Sequence, residues 1–172
     1  VKATEGGENA RSAQQLRDAL QKEADVWEPY RLVLEKGVDF IPSVRPSDVE
    51  PGEKHFCFRN ALRLALATSN LTYFEGVVIF RGFEGMLEHH AWCADESGRV
   101  VDPTPTWADK QSQLPLILRG VAIPVTLAIP YVEIETPSRG VLNALGRPES
   151  PAEARLAGAF FVSDDPSTFS VG

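Results

Sequence analysis

Apolar positions along this chain change their spacing several times, and each change predicts an element. Leu16, Ala19, Leu20 and Ala24 recur at helical spacing behind Ser12, with Gln15 in the capping-box position, so a first helix is expected from Ser12. Residues 1 to 10 ahead of it read as a frayed tail. Pro29 interrupts, and a second short helical pattern through Tyr30, Leu32, Val33 and Leu34 stops at Gly37. Pro42, Pro46 and Pro51 make residues 38 to 52 an irregular approach segment. From Cys57 the stretch CFRNALRLALA is apolar at 57, 58, 61, 62, 64, 65 and 66, among strong helix formers and without glycine. It predicts a helix buried over most of its circumference, starting near residues 55 to 57 and ending at Ser69-Asn70.

Tyr73 to Arg81 is rich in β-branched and aromatic residues and reads as a central strand. Glu88 to Ala94 and Arg99 to Asp102 read as two further strands. The polar turn Asp95-Glu96-Ser97-Gly98 joins them, which makes them antiparallel, and Pro103 and Pro105 stop the ladder. Another strand is expected at Ala122 to Ile123 or Thr126 to Ile129, with Tyr131 to Ile134 close behind. Two short helices follow, Val141 to Leu145 and Pro151 to Ala157, the second capped by Ser150 with Pro151 in its first turn. The ending FFVSDDPSTFSVG reads as a short strand and a tail. The sum is one α+β domain, a helix packed on a central antiparallel sheet.

Composition narrows the function classes. The chain has 172 residues, 43% of them hydrophobic, enough for a core of its own. Its formal charge is -7 with the acids dispersed, which argues against nucleic acid or an anionic membrane as partner. The most apolar stretch, Leu114 to Ile134, is broken by Pro115, Pro124 and Pro130 and by Arg119 and Glu133, so no membrane insertion is expected. Two cysteines are too few for a disulfide scaffold. Residues 1 to 26 do not resemble a signal peptide, which favours a soluble, cytoplasmic protein; secretion stays open because a leader could precede Val1.

The chemistry-bearing residues are few and ordered. A nucleophilic cysteine needs a lowered pKa, and the first turn of a helix offers unpaired N–H groups and the positive end of the dipole at Cys57. It also needs a base, which in turn needs an orienting acceptor. Strand alternation puts His90 and Trp92 on one face of their strand and His89, Ala91 and Cys93 on the other. Across the hairpin Asp102 falls near Ala91 or His90, so a carboxylate can stand behind the His90 ring. Each has a plainer reading: Cys57 as a core thiol, Asp102 as a strand terminator, Trp92 as core filling. A rival site is zinc, because His55, Cys57, His90 and Cys93 supply four ligands, although His90 and Cys93 point to opposite faces of a regular strand. Glu75, a carboxylate in an apolar strand, is expected to contact substrate or to pair with Arg59, Arg63 or Arg81.

These residues resemble the transglutaminase-like branch of the papain-like cysteine fold. The resemblance rests on Cys57 with Ala61, then Tyr73-Phe74-Glu75-Gly76, His90-Ala91-Trp92, and Gly98-Arg99-Val100-Val101-Asp102-Pro103-Thr104. It covers residues 51 to 106, about a third of the chain, which would be the catalytic core. It implies a papain-like core with Cys57 as nucleophile, His90 as base and Asp102 as orienting acid, acting without metal or cofactor. In this fold a glutamine often precedes the cysteine, yet none lies between Gln21 and Gln111. Oxyanion stabilisation is therefore expected from the Cys57 N–H with His55, Lys54 or Asn60. The implied activity is acyl transfer from an amide or ester in a protein, peptide or small amide, most simply hydrolysis by a peptidase, amidase or deamidase. The alternatives are transfer to an amine, as in transglutaminases, an inactive binding module of the same fold, and a structural zinc protein.

Overall fold

Residues 2–83, 85–104, 115–132 and 140–168 are described by a computed structural model. The stretch expected as a central strand is the middle of a five-stranded sheet. β2 (Leu71–Ile79) is flanked by β3 (Glu88–Asp95) and β5 (Ile117–Ala122); β4 (Val100–Val101) lies outside β3, and β1 (Val38–Phe40) outside β5. Every pair is antiparallel. Gly76 of β2 stands opposite Gly120 of β5. A Cβ on Gly76 would strike the β5 backbone, and one on Gly120 would strike the six-membered ring of Trp92, so the two glycines let strands and indole close up.

Alternation along the strands separates two apolar layers. Tyr73, Val77, Ile79, Ala91 and Cys93 face the main core, where they meet Leu62 and Ala61 of α3 (Cys57–Ala67), Leu16 and Leu20 of α1 (Lys2–Ala24) and Leu32 of α2 (Glu28–Lys36). α4 (Val125–Val132), α5 (Val141–Gly146) and α6 (Pro151–Phe161) complete this side. On the opposite face Phe40, Val78, Trp92, Ala94, Val100 and Leu118 form a smaller layer. The segment after β1 reaches that face, where the Ser43 hydroxyl donates to the Val100 carbonyl at 2.7 Å. The architecture is α+β.

Several elements differ from expectation for identifiable reasons. Residues 2 to 10 are not a tail but the start of α1, and Ser12, 4% exposed, lies inside the helix rather than at its cap. Glycines there disfavour a helix by about 1 kcal/mol each; the Glu8–Arg81 ion pair at 2.8 Å is exposed and offsets only part of that. Thr126 to Ile129 is helical, not a strand, because Leu127, Ala128 and Val132 turn one face to the core and the Pro124 carbonyl accepts from the Leu127 and Ala128 N–H groups. The strand in this region lies earlier, at Ile117–Ala122. Phe160 and Phe161 end α6 rather than forming a strand, and Pro166–Thr168 is a 3-10 turn. The α6 start follows expectation, with a complete capping box between Ser150 and Glu153. Tyr131 and Val132, expected to open a further strand, are instead the last residues of α4; Pro105, Thr106 and Ile134 lie outside the described residues.

α2 is seated by the second histidine. His89 points to the helix-bearing face, with its Nε2 3.0 Å from the Tyr30 hydroxyl and its ring 4.7 Å from that of Trp27. Burial first, and the Arg147 charge second, pull the His89 pKa down to about 4. The unfolded chain takes up this proton near pH 6.5 and the folded chain only near 4, so stability is fully present above 6.5 and declines as pH falls through that window. Urea unfolding at pH 7 and pH 4 measures it: wild type loses about 2 kcal/mol more than His89→Gln over this interval, after allowance for the ring's partial exposure.

Candidate active site

Three chain segments meet at one imidazole. His90 sits in β3 and is 3% exposed; its Nε2 lies 2.5 Å from Asp102 Oδ2, and Asp102 is fully buried. The Cys57 sulfur lies close enough to the same ring to act on it by charge and by hydrogen bonding. Asp102 Oδ1 accepts the Thr104 backbone N–H at 2.7 Å, which fixes the carboxylate on its far side. Burial works against an imidazolium here, but the Asp102 charge, the Cys57 sulfur and the bonds from both outweigh it and raise the His90 pKa to about 10.

The register that produces this pair is one residue off the expected one. β3 runs on to Asp95, whose N–H donates to the Arg99 carbonyl, and Gly98 takes the left-handed conformation (φ 80°) that closes the turn. The Asp95 carboxylate accepts from Ser97 and Arg99 and holds the turn from inside. Cys93 therefore pairs with Val101, and Asp102, one step beyond, is level with Trp92 rather than Ala91 or His90. Its bond to His90 is a diagonal one along the shared face, within the reach such neighbours have. The Trp92 ring stacks nearly parallel to His90, with centroids 6.3 Å apart and planes at 13°, and to Phe74 on the other side. It is fully buried, so it walls the pair off from water and makes no substrate contact.

Cys57 is the first residue of α3 and is partly exposed. Phe56 precedes it with no side-chain cap, and no acidic residue occupies the first turn. The leading N–H groups are thus left open beside the sulfur. Asn60, expected near an oxyanion, is instead a tie: its Oδ1 accepts the Glu53 N–H and its Nδ2 donates to the Glu53 carbonyl, locking the approach segment to the helix. The Gly52 N–H donates to the Pro103 carbonyl at 2.8 Å and binds that segment to the residue after Asp102. Lys54 and His55 are exposed, and His55 adopts a left-handed φ of 66° at the bend into α3. Both stay exposed ahead of the cysteine, whereas Asn60, Glu75 and Trp92 are consumed by the fold.

Glu75 is fully buried and pairs with none of the three arginines expected for it. Arg59 binds Glu53, and Arg81 binds Glu8. Glu75 accepts from the Tyr73 hydroxyl at 2.7 Å and from the Val141 and Leu142 N–H groups at 2.8 and 2.9 Å. The missed residues are Tyr73 and Thr104. The Thr104 hydroxyl and the Trp92 indole N–H are both buried and meet no partner among the described residues. The alternation of β2 placed Tyr73 inward, but no sequence signal tied it to Glu75.

The zinc arrangement does not assemble. The Cys93 thiol donates to the Ala61 carbonyl at 3.2 Å on the face opposite His90, and His55 is at the surface. Among the described residues no three His, Cys, Asp or Glu side chains converge as metal ligands. None of their helices is long and apolar enough to cross a membrane. The fold is thus an α+β chain in which Asp102 and Cys57 approach one histidine on β3, beside the short outer strand β4. The chain matches no protein-family profile, no curated protein and no solved structure.

Burial first and the Asp102 charge second, against a weaker lowering bond from Ala65, push the Cys93 thiol up to about 12. Alkylation of the native protein with iodoacetamide, read by peptide mass, is expected to label Cys57 and spare Cys93 by about 100-fold or more, with both labelled alike in urea.

Proposed function

We propose that this protein is a cysteine-dependent acyl-transfer enzyme of the transglutaminase-like, papain-like kind. The observation that supports it most is the single imidazole bonded both to Cys57 and to Asp102. With Nε2 facing Asp102, Nδ1 is the nitrogen left for the sulfur. Asp102 fixes the tautomer and orientation of the ring, and the raised His90 pKa favours the proton on the imidazole.

The chemistry follows in balanced steps. The Cys57 sulfur attacks the carbonyl carbon of an amide or ester, with its proton held by His90. An S–C bond forms, and the carbonyl electrons move to oxygen, where the Cys57 N–H and the open first turn of α3 receive the charge. Collapse breaks the C–N or C–O bond, and His90 gives its proton to the departing amine or alcohol. Water then loses a proton to His90 as it attacks the thioester, the C–S bond breaks, and acid and thiol are released. An amine in place of water completes transfer instead of hydrolysis. Hydrolysis of a protein, peptide or small amide is the preferred outcome by analogy with the fold, since water needs no acceptor site of its own.

Iodoacetamide labelling across pH, in wild type and His90→Ala, is the decisive measurement. At about pH 6.5 Cys57 of wild type is expected to react at least about tenfold faster than Cys57 of His90→Ala, with the rates converging near pH 10. Equal rates at every pH overturn the reading. A screen of amide, ester and protein-glutamine substrates then identifies the acyl donor, for which His90→Ala lowers turnover about 100-fold or more.

A further inference from the structure

Glu75 is the least economical residue in the sheet. It lies in the middle of β2, opposite Ala91 on one side and Val121 on the other, with Tyr73 and Val77 sharing its face. An apolar side chain would fill that position. A carboxylate removed from water there is costly without strong hydrogen bonds, and nothing in the acyl-transfer steps consumes it.

Its partners all lead toward Cys57. The Gly140–Leu142 turn is held because Glu75 accepts the N–H groups of Val141 and Leu142. Gly140 is jammed between two groups: a Cβ there would overlap both the Phe58 ring and Glu75 Oε2. Phe58, 6% exposed, is the residue directly after Cys57. Carboxylate, turn, phenyl ring and the first turn of α3 are therefore in unbroken contact. A second route runs through Tyr73, whose hydroxyl donates to Glu75. Burial, the Glu75 charge and the nearby Cys57 sulfur all raise the Tyr73 pKa. The phenol's proton is committed to Glu75 and is not offered to the sulfur.

We propose that Glu75 is a positioning residue for the Cys57 thiol: by bonding the Gly140–Leu142 turn against Phe58 and by holding the Tyr73 hydroxyl, it sets the first turn of α3 against His90. The sheet then fixes the two reacting side chains separately, His90 through Asp102 on one face and Cys57 through Glu75 on the other. The proposal rests on the acyl-transfer reading above, since it concerns the same sulfur.

The test uses the ratio of Cys57 alkylation rates by iodoacetamide at about pH 6.5 and about pH 10, a measure that loss of stability alone does not move while the protein remains folded. Glutamine in place of Glu75 cannot accept from all three donors, and alanine in place of Gly140 pushes on Phe58 and on Glu75 Oε2 without touching the triad. Both Glu75→Gln and Gly140→Ala are expected to lower the ratio by about tenfold, and adding Phe58→Leu to Gly140→Ala restores part of it, at least about threefold. Leu20→Ala, a distant core truncation, lowers stability and leaves the ratio unchanged. Circular dichroism and urea titration establish that each variant is folded; should Glu75→Gln not fold, Gly140→Ala and its Phe58→Leu rescue decide alone. Folded variants that keep the wild-type ratio overturn the role of Glu75 and leave the acyl-transfer reading standing. A wild-type ratio that does not depend on His90 ends both.

Discussion

A buried imidazole with two hydrogen-bonding nitrogens sets the terms for this structure. In the interior neither nitrogen of His90 can be left without a partner, and a protonated ring needs an acceptor of opposite charge. Asp102 meets Nε2, and the Cys57 sulfur acts on the same ring. Both partners come from outside β3, so the hairpin register, the end of β4 and the approach of α3 must all be satisfied together. β4 stops after Val101, which frees Asp102 from the ladder and lets its carboxylate turn along the sheet toward His90.

The surroundings follow from the same requirement. Trp92 covers the ring pair with an apolar slab, and the slab fits only because Gly120 has no side chain. Low dielectric beneath the indole strengthens the His90–Asp102 interaction and raises the cost of losing either partner. Asn60 and Gly52 perform the corresponding task at the other end, lashing the approach segment to α3 and to Pro103. The helix is thus held from its side as well as from the sheet below, while its leading N–H groups stay uncapped.

Both histidines of the His89-His90 pair are used, in opposite ways. Adjacent strand positions face opposite sides, so His90 enters the site and His89 meets Tyr30 of α2. One is raised by a carboxylate and a sulfur, the other lowered by burial and an arginine. Two identical side chains in sequence acquire opposite proton affinities because the sheet separates their environments.

Local pattern determined much of this. The helix opening on Cys57, the central strand, the hairpin and the alternation that splits His90 and Trp92 from Cys93 are consequences of periodicity and turn chemistry, which act between near neighbours. The α6 capping box is legible for the same reason. What the tertiary structure decided involves contacts between distant segments: the one-residue register that makes the His90–Asp102 bond diagonal, the helix at Val125–Val132 where an apolar run fits strand or helix equally, and α1 extended through two glycines. Glu75 shows the boundary best. Its presence in an apolar strand signalled an obligation, but the donors that meet it lie at Tyr73, Val141 and Leu142, and a chain must fold before a carboxylate at 75 can find N–H groups more than sixty residues away.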